Sequence, residues 1–233
     1  MASIKPTPQP YRLFETCPFR DSVSCFAGSF INGSFLVAAT SWDKTCKAAM
    51  IAPQGPQNVV GNITAAAPPL CIAAVPQSSM FIYGTADGSV VLWNVENGQQ
   101  NVIARHNDAV TGVRYIPELS TVVSSSFDSS VQFLDVRTNT PNRMSVAGRV
   151  QALDALFPYL AVMLTNRVEM FDFRSSRFIT ADLLGAMGSF NTSVGQCVAI
   201  FPDKTGIVFG LNDGRVTVIH FQNKASGALP AHA

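Results

Sequence analysis

The stretch Met80-Phe81-Ile82-Tyr83-Gly84-Thr85-Ala86-Asp87-Gly88-Ser89-Val90-Val91-Leu92-Trp93-Asn94-Val95 decides the fold. An apolar run ends in small and polar residues. Ala86-Asp87-Gly88 then supplies a tight turn, because Asp bonds nearby backbone and Gly accepts positive φ. Val, Leu and Trp follow in the spacing of a half-buried strand. The unit is a β-hairpin.

Four other segments repeat it: Phe35 to Thr45, Thr121 to Val136, Leu160 to Phe173 and Ile207 to Phe221. Their turn residues Asp43, Asp87, Asp128, Asn166 and Asp213 lie 44, 41, 38 and 47 residues apart. A period near 40–45 with several short strands per unit is that of β-propeller blades. Between the hairpins stand inner-strand candidates such as Leu70 to Val75, Val110 to Tyr115 and Gln196 to Phe201. Sixteen Gly and fourteen Pro suit many short elements. No helical stripe is sustained over fifteen residues. The predicted fold class is all-β, a propeller with five legible blades over 21–221. Residues 1–20 form an N-terminal segment and 222–233 a flexible tail.

Charged residues are only 13% of the 233-residue chain and apolar residues 47%, against roughly 25% charge in an average soluble protein. The net charge of +1 excludes a polybasic nucleic-acid tail and an acidic disordered chain. The longest apolar run, Ala155 to Leu164, is interrupted by Pro158 and falls short of the ~20 residues that span a bilayer. The start, Met1 to Pro10, lacks the apolar core of a secretory signal. Five cysteines, with no C-x-x-C pair, read as reduced, buried thiols. His106, His220 and His232 have no metal-ligand spacing with them, so no metal and no cofactor are expected. There is no G-x-S-x-G, G-x-x-x-x-G-K-[ST] or H-E-x-x-H, and the chain is read as a non-enzyme.

Trp93-Asn94 and Leu134-Asp135 stand where WD-repeat propellers carry their Trp-Asp pair, and His106 precedes Asp128 by 22 residues. The chain therefore resembles the WD-repeat β-propeller family. Ser41-Trp42-Asp43-Lys44-Thr45, Asp135-Val136-Arg137-Thr138, Cys197 to Lys204 and Asp213-Gly214-Arg215-Val216 narrow the likeness. They resemble the branch of nuclear-pore-associated mRNA export and mitotic spindle checkpoint proteins. Pro158 to Val162 and Cys197 to Phe201 lean to export, and Pro117-Glu118-Leu119 and Phe201-Pro202 to the checkpoint.

The resemblance implies an interaction scaffold. One face would grip a GLEBS-type segment of a nucleoporin or, in the alternative, of a checkpoint kinase at kinetochores. The implied partner-binding residues are Arg215, Trp42, Phe127 and Asp213. His106, Asp128, Asp87 and Trp93 are implied members of the structural blade network. No blade keeps all of that network's members, and Phe127 stands where the family has a tryptophan. The implied location is the nucleus, the nuclear envelope and pore, and the cytoplasm. Weak direct RNA contact is a lesser expectation. Arg137, Arg143, Arg149, Arg167, Arg174 and Arg177 form a loose basic sector able to meet phosphate. No aromatic interleaving accompanies them, so a solvated rim is the plainer reading.

The resembled family has seven blades, and at ~40–45 residues per blade five account for this chain. Relative to the family the chain reads as shortened at its C-terminal end. Two outcomes stay open. Tyr11 to Phe14 supplies the outer strand of the last blade and closes a five-bladed ring, or an open arc bares a core face.

Overall fold

The computed structural model describes residue 14 and residues 17–52, 55–138, 140–183, 189–190, 193–222 and 226–229. Among these, twenty strands form five four-stranded antiparallel sheets, one per predicted blade. Blade 1 contains β1 (Val23–Ile31), β2 (Ser34–Ser41), β3 (Thr45–Ala52) and β4 (Gly55–Thr64). Blade 2 contains β5 (Pro69–Ala74), β6 (Met80–Thr85), β7 (Ser89–Asn94) and β8 (Gln100–Arg105). Blade 3 contains β9 (Val110–Ile116), β10 (Thr121–Ser126), β11 (Ser130–Asp135) and β12 (Thr140–Ser145). Blade 4 contains β13 (Val150–Leu156), β14 (Tyr159–Leu164), β15 (Val168–Asp172) and β16 (Arg177–Phe178), followed by the short helix α1 (Thr180–Leu183). Blade 5 contains β17 (Gly195–Ile200), β18 (Gly206–Leu211), β19 (Val216–His220) and β20 (Ser226–Leu229).

The turn chemistry read from sequence is visible in four blades. Asp43, Asp87, Asp128 and Asp213 each accept, through Oδ1, the backbone N–H two residues on, at 2.9–3.2 Å. The residue between carries positive φ: Lys44, Gly88, Ser129 and Gly214. Carboxylate capping therefore fixes the same turn even where glycine is absent. Blade 4 departs. Asn166 has neither a positive φ after it nor this cap; its carbonyl instead accepts the N–H of Phe190 at 2.9 Å.

The blades stack inner strand on inner strand. β1 packs on β5, β5 on β9, β9 on β13 and β13 on β17. Close approach needs a missing side chain. A Cβ on Gly84 would stand 2.3 Å from Val110 of the next blade, so glycine is required there for contact rather than for φ. Four apolar clusters fill the junctions. One holds Trp93, Phe81, Leu36 and Ala48 between blades 1 and 2. Another holds Cys71, Ala73, Ile82 and Val90 against Val110, Val113, Val122 and Leu134 between blades 2 and 3. Asp154 latches three blades. It accepts Arg114 Nε of blade 3 and the Ile200 N–H of blade 5, each at 2.8 Å.

His106 enters from blade 2 and bonds into blade 3. Its ring nitrogens lie 3.0 Å from Ser130 Oγ and 2.8 Å from Ser124 Oγ. Asp128 Oδ2 is 3.5 Å from Nδ1 and accepts the Asn107 N–H at 2.8 Å. Leu134, buried, fills the place of the network's tryptophan. Trp93 is buried in blade 2 with its indole N–H unpartnered among the described residues, and Ala65 stands where a histidine would precede that blade.

Two sequence expectations change. The residues after Phe221, read as a tail, include β20, which pairs with β19 as the outermost strand of blade 5. The reading that Tyr11 to Phe14 closes the last blade falls, but for Phe14, outside the described residues. The cysteines are not uniformly buried. Cys46 and Cys71 are, and burial pushes the Cys71 thiol up to about 12. Cys197 is exposed. The reason is architectural: Cys71 and Cys197 occupy the same place in blades 2 and 5, but among the described residues nothing packs on the outer side of blade 5. β17 and β1 do not stack as the other inner strands do, so the described blades form an open arc. Phe26 and Phe30 of β1 are 75% and 71% exposed.

Two outcomes follow for stability. Trp93→Ala leaves a large void and lowers unfolding free energy by about 3–5 kcal/mol. In dilute monomer, Phe26→Ser shifts it by less than ~0.5 kcal/mol, as denaturant titration will show; a large loss at Phe26 contradicts the open arc. A further outcome concerns pH. Burial holds His106 below its usual pKa, and Arg143 adds to this while Asp128 opposes it. The unfolded chain, with His near 6.5, then binds the proton more readily. Stability is fully present above about pH 6.5 and is lost as pH falls below it toward the folded value. Urea midpoints between pH 8 and 5 should fall for the wild type and stay flatter for His106→Gln. A flat wild-type profile contradicts this.

Candidate functional site

The turns joining the second and third strands of the blades share one rim. In blades 1, 2, 3 and 5 the turn is hooked to the segment entering its own blade. Trp42 N–H donates to Ser22 O, Ala86 N–H to Pro68 O, Phe127 N–H to Ala109 O and Asn212 N–H to Val194 O, at 2.9–3.1 Å. The side chains before the capping aspartates are thus carried outward on rigid supports. Trp42 of blade 1 is 50% exposed. Asp43 beneath it stays ionised: bonds from Thr45, Arg20 and Ser41 outweigh its burial and hold its pKa at about 2.

On blade 5, Asp213 and Arg215 form one unit. Arg215 Nε donates to Asp213 Oδ2 at 2.7 Å and Nη2 to Ser193 Oγ at 2.8 Å, while Ser193 donates to Asp213 Oδ2 at 2.6 Å. The Arg215 bond, then the Ser193 bond, holds the Asp213 carboxyl well below the usual range. Arg215 is raised in turn by Asp213. Its side chain is 47% exposed. Among the described residues Nη1 donates to nothing, so one edge of the fork is fixed and the other faces out.

Phe127, on blade 3, is not bare. The Arg149 guanidinium lies 4.4 Å from its ring centroid, and Asp108 is 4.0 Å from Arg149. The cation stacks on one face of the ring, an arrangement favoured by the ring quadrupole. This contact was invisible in the sequence, because Arg149 lies 22 residues away at the approach to the next blade. Trp42, Phe127 and Arg215 share the rim but sit on three separate blades. Asp87 caps its turn, and Trp93, His106 and Asp128 lie within the blade packing described above, off the outward side chains of the rim.

The basic sector is neutralised where it stands. Arg137, Arg143, Arg149, Arg167, Arg174 and Arg177 each lie within 4.0 Å of a carboxylate. No bare cationic stripe of the kind that tracks a phosphate backbone is left among them. A cleft between blades 3 and 4 is floored by Phe133, Phe171 and Phe173, with Arg143 as its titratable residue. Among the described residues no three His, Cys, Asp or Glu side chains converge to hold a metal, and no helix is long and apolar enough to cross a membrane.

Comparison with known proteins agrees with this architecture. The family described as "WD domain, G-beta repeat" matches residues 98–135, which include β8 to β11. The chain is 27% identical over 196 residues to "mRNA export factor rae-1" of Caenorhabditis elegans, covering 78% of this chain and 51% of that protein. It is 27% identical over 154 residues to "Poly(A)+ RNA export protein" of Schizosaccharomyces pombe, covering 64% and 43%. It is 28% identical over 190 residues to "Mitotic checkpoint protein bub-3" of Caenorhabditis elegans, covering 80% and 54%. The chain spans about half the length of these curated relatives. Residues 98–135 carry a WD repeat, the four-stranded sheets are those of a WD-repeat propeller fold, and the chain is similar along most of its length to mRNA export and mitotic checkpoint proteins.

Proposed function

We propose that this chain is a non-enzymatic scaffold in mRNA export at the nuclear pore, docking a GLEBS-type nucleoporin segment on its turn rim. The observation that carries the reading is Arg215. Its guanidinium is pre-oriented by Asp213 and Ser193 and keeps an outward edge. A pre-organised fork loses little freedom on meeting a carboxylate, which it binds through two parallel bonds. Trp42 offers exposed aromatic area on the same rim, and aromatic and Arg anchors dominate interface energetics. Phe127 and Arg149 add a stacked cation. Asp213 serves by holding Arg215 rather than by touching the partner.

The second reading, a spindle-checkpoint scaffold for kinases at kinetochores, is favoured by one observation. The checkpoint relative bub-3 matches the chain over 80% of its length, against 78% and 64% for the export relatives. Both readings place the protein in the nucleus, at the nuclear envelope and in the cytoplasm.

Capture of partners from nuclear extract on the immobilised chain separates the readings. A nucleoporin supports export, a kinase supports the checkpoint, and neither overturns both. Arg215→Glu is expected to weaken the captured segment by about tenfold or more, about 1.4 kcal/mol, with the fold retained by near-UV circular dichroism. An unchanged affinity removes Arg215 from the interface.

A further inference from the structure

We infer that blade 2 carries, on the turn rim, a seat for an imidazole ring of the kind that a histidine side chain of a docked segment presents. The source of the ring rests on the scaffold reading above; the seat itself does not. Blades 2 and 3 match position by position. Ala65 holds in blade 2 the place that His106 holds in blade 3. Ala65 N–H donates to Lys44 O and His106 N–H to Gly88 O, each at 2.8 Å, and each acceptor follows the capping aspartate of the blade before. The partners of the histidine are kept. Asp87 and Ser89 stand where Asp128 and Ser130 stand, with the serine N–H donating to the aspartate Oδ1 in both. In blade 3 the imidazole lies against that pair, its Nδ1 3.0 Å from Ser130 Oγ and 3.5 Å from Asp128 Oδ2. In blade 2 the alanine methyl leaves the place of the ring open. A cavity of about 120 Å³ lies there, walled by Ala66, Tyr83, Asp87, Ser89, Gln100 and Arg105. One water needs about 10–15 Å³, so the space takes several waters or one five-membered ring.

The seat lacks a donor where the ring would touch. Asp87 Oδ1 accepts the Thr85 hydroxyl and the Ser89 N–H. Asp87 Oδ2 accepts nothing among the described residues, whereas Asp128 Oδ2 accepts the Asn107 N–H and Arg143 Nη2. The Asp128 side chain is 7% exposed, while Asp87 is open to the rim. The Thr85 bond leads the causes that hold the Asp87 carboxyl below the usual range, so Oδ2 is a charged acceptor.

Arg105 sets the class of donor. Its Nη1 donates to Ser89 Oγ at 2.9 Å, so the wall already holds a cation, and a lysine or arginine entering the seat meets like charge. A neutral imidazole supplies one N–H without that repulsion. Tyr83 stands in the place of Ser124 by register, Tyr83 with Ile72 and Ser124 with Val113. Its hydroxyl is spent on Gln100 Oε1 at 2.6 Å, so the second ring nitrogen is left to solvent. The described histidines are engaged elsewhere, His106 in blade 3 and His220 against the Phe201 ring of blade 5.

Imidazole itself is the probe. It is titrated into the full chain at about pH 8, above the usual histidine pKa of about 6.5, so that the ring is neutral. The backbone amide resonances of Ala66, Asp87 and Ser89 should shift, and those of Asp128 and Ser130 should not. A dissociation constant on the order of millimolar is expected for so small a ligand. Ala65→His supplies a ring from within and should weaken the probe by about tenfold or more. Ser89→Ala should weaken it several-fold, and decides the matter if near-UV circular dichroism shows that Ala65→His does not fold. Methylammonium should bind at least several-fold more weakly than imidazole. No shift at the seat, or undiminished binding by the variant, or methylammonium binding as well as imidazole, overturns the inference. A chain that takes up the probe only after His232→Ala fills the seat with its own ring, which overturns a docked segment as the source. Failure to capture any partner from extract would sink the scaffold reading and leave this titration standing.

Discussion

Everything in this molecule depends on one blade lying flat against the next. A four-stranded sheet with apolar residues on both sides cannot stand alone in water. Here each sheet is covered only where a neighbour supplies valine, leucine or an aromatic ring. Gly84 under Val110 and Gly112 under the Leu153 side chain set how near the neighbours come. Where that approach is met, Cys71 and Trp93 vanish from solvent. Where it is not, chemically equivalent positions such as Cys197 stay open. The same sequence pattern therefore yields core or surface according to what lies beside it, and burial is decided between blades rather than within one.

The rim follows from that packing. Blades stacked in one register bring their second turns to one edge; in four of them a carboxylate cap closes the turn and a backbone bond ties it to the segment below. Side chains just before the caps, Trp42 and Phe127, and just after, Arg215, are held outward with little freedom to lose. The cost of ordering an interface is reduced in advance. A scaffold needs this more than it needs chemistry. The titratable groups here serve to orient: Asp213 and Ser193 hold Arg215, Asp108 and Phe127 hold Arg149, and Asp154 ties three inner strands together.

The repeat was legible because turn chemistry is local. Asp43, Asp87, Asp128 and Asp213 announce themselves within three residues, and their spacing alone separates the blades. Asn166 fits the spacing, but its turn is built differently: its carbonyl receives Phe190, far along the chain. β20 was missed because Ser226-Gly227-Ala228-Leu229 has no alternation; it is a strand because β19 offers it an edge. Arg137, Arg167, Arg174 and Arg177 meet carboxylates within five residues, and those pairs stood in the sequence. Arg143 and Arg149 meet Asp128 and Asp108 across strands and blades, and charge paired in that way looks unpaired along the sequence. The split network of His106 and Trp93 was readable residue by residue, and the structure shows why each half suffices. Two serines satisfy the histidine, while Trp93 contributes apolar volume alone.

The central claim is that the rim of second turns is the working face of a scaffold. Hydrogen exchange of the chain with and without its captured partner segment tests it most directly. The account predicts slowed exchange in residues 41–45, 127–130 and 212–216, with the opposite rim near residues 76–79, 117–120 and 202–205 unchanged. Slowing confined to that opposite rim, or to no rim at all, would contradict it.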